Sequence, residues 1–110
     1  MMTDRPLVRC VFRADESFLM LSGPQTMAQI RALIGCELTG SVMLGDRVHV
    51  MIVDDLGHQR GLRINTKGTR LYLDARPDAP GDFVIRGDVV VVPDSDFAMP
   101  NGEPFRNRPL

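Results

Sequence analysis

The segment from Arg60 to Tyr72 holds the residues whose types and spacing best fit anion binding. Four cations lie there beside asparagine and threonine side chains and one tyrosine, without an apolar stripe that would place them in a core. Guanidinium groups bind phosphate bidentately, hydroxyl and backbone N–H groups complete such a site, and an aromatic ring can stack on a base. The predicted ligand is a small phosphate-bearing nucleotide. Its predicted ligand-binding residues are Arg60, Arg63, Asn65, Lys67, Thr69, Arg70 and Tyr72.

Two other interpretations of this basic segment are open from the sequence. It can be a solvated loop whose charges are balanced by nearby acidic residues, or a surface for a protein or nucleic-acid partner. The net charge of −1 gives no electrostatic footprint for bulk binding of nucleic acid. A small anionic ligand therefore stays the preferred interpretation.

The recognisable parts of an enzyme are missing from the sequence. Asp54 and Asp55 are adjacent, so in a strand they point to opposite faces and fit turn chemistry better than a carboxylate pair. His49 and His58 could ligate a metal with Asp54, but their spacing is not diagnostic. No GxSxG elbow or glycine-rich phosphate fingerprint occurs. We predict a binding protein without catalytic residues, metal or cofactor.

The composition indicates one ordinary globular domain. The chain has 110 residues, of which 44% are hydrophobic and 25% are charged. No apolar run approaches the roughly 18 residues of a membrane span, and the first residues lack the apolar core of a secretory signal, so the predicted location is the cytoplasm. Cys10 and Cys36 lie far apart and are predicted to be free thiols.

The first third of the chain predicts a hairpin followed by a helix. Residues 7–13 and 17–21 are apolar segments joined by a turn, and Arg9 and Arg13 project to one side of the first strand. Residues 24–34 carry apolar side chains at helical spacing. We expect Ser22 to cap this helix, Gly35 to end it, and the helix to be the longest of the chain.

The middle of the chain predicts a second hairpin and one ambiguous segment. Residues 37–44 and 47–53 should pair as antiparallel strands around a Gly-Asp turn. After them, Asn65 can cap a short helical turn that begins near Thr66. The alternative is a short strand over residues 69–73.

The last third predicts the centre of the sheet and an irregular tail. Residues 83–92 contain four consecutive valines, which predicts an interior strand, with a bend at Gly87 and an end at Pro93. Residues 1–94 form the predicted domain, and residues 95–110 form a proline-rich irregular arm. Three apolar side chains of this arm can dock on the body or on a second subunit: Phe97, Met99 and Phe105.

These elements predict an α+β fold. A mostly antiparallel sheet of about five strands carries one main helix on one face. Because one helix leaves the other face uncovered, we also predict a homo-oligomer.

Several short motifs between residues 25 and 94 carry a family resemblance. They are Ile34-Gly35, Val53-Asp54-Asp55-Leu56-Gly57, Gly61-Leu62 with Asn65, Thr69 with Tyr72, and Ile85-Arg86-Gly87-Asp88-Val89-Val90-Val91.

In these motifs the chain resembles the domain-of-unknown-function 3846 family of phages, plasmids and actinobacteria. Arg63 stands where that family has proline, and Gly68 stands where it has alanine. The resemblance implies an origin in a mobile element, whose small proteins often bind rather than catalyse. The expected function is an anti-defence protein that sequesters a nucleotide-like ligand. The alternative is a protein–protein inhibitor of a host enzyme, which acts through the sheet edge and the C-terminal arm.

Overall fold

The computed structural model describes residues 6–97 and the backbone of residues 108–109. Their elements are β1 (Cys10–Phe12), β2 (Phe18–Met20), α1 (Met27–Ile34), β3 (Thr39–Met43), β4 (His49–Asp54), α2 (Thr66–Ala75), β5 (Val89–Pro93), a 3-10 helix (Asp94–Phe97) and β6 (Arg108–Pro109). The strands form one mixed sheet in the order β2-β1-β5-β4-β3-β6, antiparallel except for the β3–β6 pair. The α+β fold is confirmed.

The valine run forms the buried strand β5 between β1 and β4. Val91 pairs with Cys10 on one side and with Met51 on the other, so the predicted interior strand is confirmed. Its pairing ends at Pro93, which has no N–H to donate. The strand starts at Val89 rather than at residue 83, because Gly87 adopts a φ of 88° and turns the chain out of extended geometry.

Each face of the sheet is covered by one helix. Ile30 and Ile34 of α1 pack with Val11, Val50, Ile52, Val90 and Val92 on one face. Leu71 and Tyr72 of α2 pack on the other face, against a cluster that contains Val42, Met51, Val53, Val89 and Val91. The expectation that the second face of the sheet is uncovered is therefore wrong, and it no longer supports a homo-oligomer.

The longest described helix is α2, with ten residues against eight in α1, so the prediction for residues 24–34 is wrong on this point. Thr26 caps α1 in place of Ser22. Its hydroxyl accepts from the Gln29 N–H at 3.1 Å, and the Gln29 side chain accepts from the Thr26 N–H at 2.8 Å, which satisfies two free donors at once. Gly35 ends the helix at a φ of 67°, as predicted.

Both predicted hairpins are present, as β1–β2 and β3–β4. Cys10 and Cys36 are free. Of the predicted arm, Phe97 ends the 3-10 helix and packs on the α1 side of the core, and residues 108–109 pair with β3. Met99 and Phe105 lie outside the described residues. None of the described helices has the length and apolar character needed to cross a membrane.

Candidate functional site

Asn65 belongs to the framework of the fold. It is fully buried and caps α2, as one of the two sequence interpretations predicted. Its Nδ2 group donates to the carbonyl oxygens of Phe12 and Gly87, each at 2.9 Å, and its Oδ1 atom accepts from the Gly68 N–H at 2.9 Å. The amide thus joins the end of β1, the approach to β5 and the first turn of α2, and its inward hydrogen bonds leave it unsuited to a ligand.

Thr69 and Tyr72 face the same inner side of α2. The Thr69 hydroxyl donates to the Asn65 carbonyl at 2.8 Å and accepts from the Ile85 N–H at 2.9 Å. The Tyr72 ring stacks on Phe83, with ring centroids 4.6 Å apart. Both side chains hold the segment before β5 against the helix, so their predicted place in a ligand site is not what the structure favours.

Gly68 allows a close approach between α2 and this segment rather than an approach to a ligand. A Cβ atom at Gly68 would lie 3.3 Å from the Ile85 Cγ2 atom and 3.3 Å from the Asn65 Cγ atom. These distances are tighter than most side-chain contacts. The glycine therefore serves the packing of α2 on the sheet.

The Arg60 side chain contacts the C-terminal end of α1. Its guanidinium group forms an ion pair with the buried Asp54 carboxylate and donates to the Gly35 carbonyl at 3.1 Å. The guanidinium group supplies the opposite charge for a buried carboxylate that otherwise accepts a hydrogen bond from the Leu56 N–H, at 2.8 Å. Arg60 thus has a structural role, unlike the other three cations of the predicted site.

The remaining three cations are solvent-exposed, Lys67 and Arg70 on α2 and Arg63 in the segment before it. Arg63, Lys67 and Arg70 are exposed, and none forms an ion pair with a residue of the described chain. The Lys67 Nζ atom lies 5.4 Å from the centre of the Phe12 ring, within range of a cation–π contact. These three side chains are the members of the predicted set that stay available to a ligand.

Lys67 and Arg70 line a cleft of about 280 Å³ between α2 and the β1–β2 hairpin. This volume is close to the lower limit for small-molecule sites, which is roughly 300 Å³. Thr66 also lines it from the helix side. The hairpin contributes Phe12, Arg13, Glu16, Ser17 and Phe18. We refer to this space as the cation cleft.

Sequence reasoning placed Arg13 on the first strand but did not assign it to the site. Asp88 holds it, with 2.9 Å between a guanidinium nitrogen and a carboxylate oxygen, and the same carboxylate accepts from the Ala14 N–H. Arg63 also lies close to the turn between β1 and β2, which contains Asp15. Hydrogen bonds from Ser17 lower the pKa of Asp15, and the charges of Arg63 and Arg13 lower it further. No local pattern links Arg13 to α2, because the two meet only through the pairing of distant segments.

A second and larger cleft, of about 480 Å³, adjoins the first and shares Phe12 and Lys67 with it. Its walls are mainly apolar, and we refer to it as the apolar cleft. Its other lining residues are Pro6, Val8, Leu44, Asp46, His49, Leu71 and Val91.

Asp46 and His49 form the polar corner of the apolar cleft. The Val8 N–H donates to Nε2 of His49 at 2.8 Å, so the ring proton lies on Nδ1, which contacts Asp46 at 2.6 Å. Burial raises the pKa of Asp46, but hydrogen bonds from the backbone N–H groups of His49 and Val48 and from the His49 ring outweigh it and lower that pKa to about 2. The carboxylate is therefore ionised and can only accept hydrogen bonds at neutral pH.

The three residues considered for a metal have separate partners. His49 contacts Asp46 and Val8, His58 contacts the Val84 carbonyl at 2.8 Å, and Asp54 pairs with Arg60. Within the described part of the chain, no group of three histidine, cysteine or carboxylate side chains is arranged to hold a metal ion.

Comparison of the chain with known proteins finds no relative. No family model, no curated protein and no solved structure matches the chain. The resemblance to a known family in the sequence motifs therefore stays a prediction.

Proposed function

We propose that the protein binds a small phosphate-bearing, nucleotide-like ligand across the cation cleft and the apolar cleft, and releases it chemically unchanged. One observation carries the proposal: Lys67 lines both clefts, so that a cation stands where a polar space meets an apolar one. A nucleotide has the matching division, with an anionic end and a largely apolar ring. Neither a solvated loop nor a plain apolar groove needs this juxtaposition.

The cation cleft supplies contacts for phosphate. Lys67 and Arg70 are exposed and have no ion-pair partner within the described chain, and Arg13, which pairs with Asp88, lines the same space from the residue after β1. The hydroxyl group of Thr66 adds a neutral donor. Glu16 also lines this cleft, so the anionic group is expected to sit on the helix side, nearer to Lys67 and Arg70.

The apolar cleft supplies the place for a ring. Leu44, Leu71 and Val91 provide apolar walls, and Phe12 lies at the boundary with the cation cleft. The ionised Asp46 carboxylate at its polar corner accepts hydrogen bonds only. A base with an amino group or ring N–H fits this corner better than one that presents only acceptors.

The proposed site contains only some of the residues predicted from the sequence, and it includes others that were not predicted. It keeps Arg63, Lys67 and Arg70, although Arg63 lines neither cleft and acts through its charge near Asp15. It leaves out four residues whose side chains have structural partners, and it adds Arg13 and Thr66. The omitted residues are Arg60, Asn65, Thr69 and Tyr72.

Calorimetric titration with cyclic and linear nucleotides tests the proposal. One charge-assisted contact contributes about 1.5–3 kcal/mol, so Arg70→Ala and Lys67→Ala should each weaken binding by about ten- to a hundredfold. Arg76→Ala is the matched control, because Arg76 is exposed at the opposite end of α2 and lines neither cleft. Mass spectrometry of the ligand after incubation should return it unchanged.

Two results would contradict the proposal. One is the absence of nucleotide binding below millimolar concentration. The other is equal affinity of the Arg70→Ala and Lys67→Ala variants and the wild type. In either case the hypothesis of a protein–protein inhibitor takes its place.

The biological setting of the proposal rests on the sequence alone. A small cytoplasmic protein of a phage or plasmid that binds a nucleotide without converting it lowers the free concentration of that nucleotide. Such sequestration is the anti-defence role expected from the motifs. It requires the protein in amounts comparable to the ligand, because each site holds one molecule.

A further inference from the structure

The two edges of the sheet are treated differently. At one edge, β3 is paired with the backbone of residues 108–109, so the chain covers this edge itself. At the other edge, no strand of the described chain pairs with the outer side of β2. All three residues of β2 are large and apolar, and Phe18, Leu19 and Met20 are 65%, 44% and 58% exposed. Proteins normally protect such an edge, because it is a template for pairing with another chain.

The backbone geometry of β2 shows which groups are free to pair. The Arg13 N–H donates to the Ser17 carbonyl and the Leu21 N–H donates to the Arg9 carbonyl. Hydrogen-bonded pairs alternate along an antiparallel ladder, so Leu19 is the next residue that bonds to β1. The N–H and C=O groups of Phe18 and Met20 are therefore directed outward, away from β1.

We infer that β2 pairs with β2 of a second copy of the chain, antiparallel and with Leu19 on the two-fold axis. In this register Phe18 lies opposite the partner's Met20, and the outward N–H and C=O groups of both residues are bonded across the interface. The sheet then continues through both copies. Because the axis is perpendicular to the sheet, α2 of each copy lies on the same face.

A second copy suits this edge for two reasons. The strand is complementary to itself, since apolar residues face apolar residues and Glu16 lies opposite the partner's Ser22 rather than opposite another acidic residue. A two-fold interface also closes after two copies, so it protects an apolar edge without growth into a fibre. The dimer does not depend on the proposed nucleotide, although Phe18 lines the cation cleft and the partner's Met20 would lie beside it.

Cysteine cross-linking tests the register in the full-length chain. Leu19 forms a non-hydrogen-bonded pair with its own copy, in which Cα atoms lie about 4.5 Å apart and a disulfide can form. Two copies of residue 18 are offset along the strands and lie roughly 8–9 Å apart, which is too far. Under mild oxidation Leu19→Cys should give a covalent dimer, whereas Phe18→Cys should behave like the wild type, which reports the background from Cys10 and Cys36.

Sedimentation supplies the second measurement. The wild type should sediment as a dimer at micromolar concentration. Met20→Lys should shift it toward the monomer with an unchanged circular dichroism spectrum, because two buried charges would face the interface. A monomeric wild type overturns the inference and leaves the edge to an extended segment of another protein. Equal cross-linking of the two cysteine variants, or its absence in both, overturns the register.

Discussion

Both sides of α2 carry polar side chains, but those of the inner side hold the fold together and those of the outer side are free of such contacts. On the inner side, Asn65 and Thr69 hydrogen-bond backbone groups of three separate segments. On the outer side, Lys67 lines both clefts and Arg70 lines the cation cleft, and neither has an ion-pair partner in the described chain. The difference teaches that residue type and spacing identify a polar segment, whereas the partner of each side chain decides whether it supports the fold or is available to a ligand.

This division has an energetic consequence. Removing an inner side chain leaves buried backbone groups without partners, which costs about 1–3 kcal/mol for each group. Removing an outer side chain leaves no such group, and exposed substitutions usually change stability by less than about 0.5 kcal/mol. Mutations on the two sides should therefore separate loss of stability from loss of ligand binding.

The largest effect is expected for Asn65→Ala. The variant loses the cap of α2 and leaves the carbonyl groups of Phe12 and Gly87 and the Gly68 N–H without their partner. We expect the free energy of unfolding to fall by about 3–5 kcal/mol, measured by urea denaturation. Thr66→Ala, at the next position but exposed, is the control and should change it little. Equal losses in the two variants would contradict the framework role of Asn65.

A smaller effect is expected for Thr69→Val, which keeps the shape of the side chain and removes the hydroxyl. The Ile85 N–H then loses its acceptor, and the free energy of unfolding should fall by about 1–3 kcal/mol. Thr69→Ser retains the hydroxyl and should recover most of the loss. If valine and serine destabilise the protein equally, the hydroxyl is not what fixes the segment before β5.

The contribution of Asp46 to stability is expected to depend on pH. Its pKa in the folded protein is lowered from 3.8 to about 2, so its contribution is fully present above about pH 4 and is lost as the pH falls toward 2. The shift corresponds to about 2 kcal/mol. Thermal denaturation should show that Asp46→Asn destabilises the protein at pH 7 and has a weaker pH dependence between pH 4 and 2. Asp78→Asn, on an exposed loop, should follow the wild type throughout.

The smallest effect on stability is expected on the outer side of α2. Arg70→Ala and Lys67→Ala should each change the free energy of unfolding by less than about 0.5 kcal/mol, while both weaken nucleotide binding. Urea denaturation and calorimetry on the same preparations measure the two quantities together. A destabilisation comparable to that of Thr69→Val would show that these cations also belong to the framework.

The sequence predicted those features that depend on neighbouring residues. The positions of the hairpins, the glycine that ends α1 and the valine strand were all visible locally, and the Asn65 cap was one of two interpretations. It misjudged the length of α2, because that helix has low apolar density along the chain and is stabilised by contacts of Leu71 and Tyr72 with a distant part of the sheet. Tertiary packing overrode a weak local signal.

The sequence by itself determined an α+β chain with a buried central strand, two hairpins and a basic segment, which could begin with an Asn65 helix cap or form a short strand. Only the tertiary structure decided which basic residues face a cleft, because it depends on how β1, β5 and α2 meet. Arg13 comes to lie near Lys67 and Arg70 through pairing between segments more than fifty residues apart. Residue types and helical periodicity are local properties of the sequence. A cleft, by contrast, forms between segments that are far apart along the chain, and no local pattern shows that they meet.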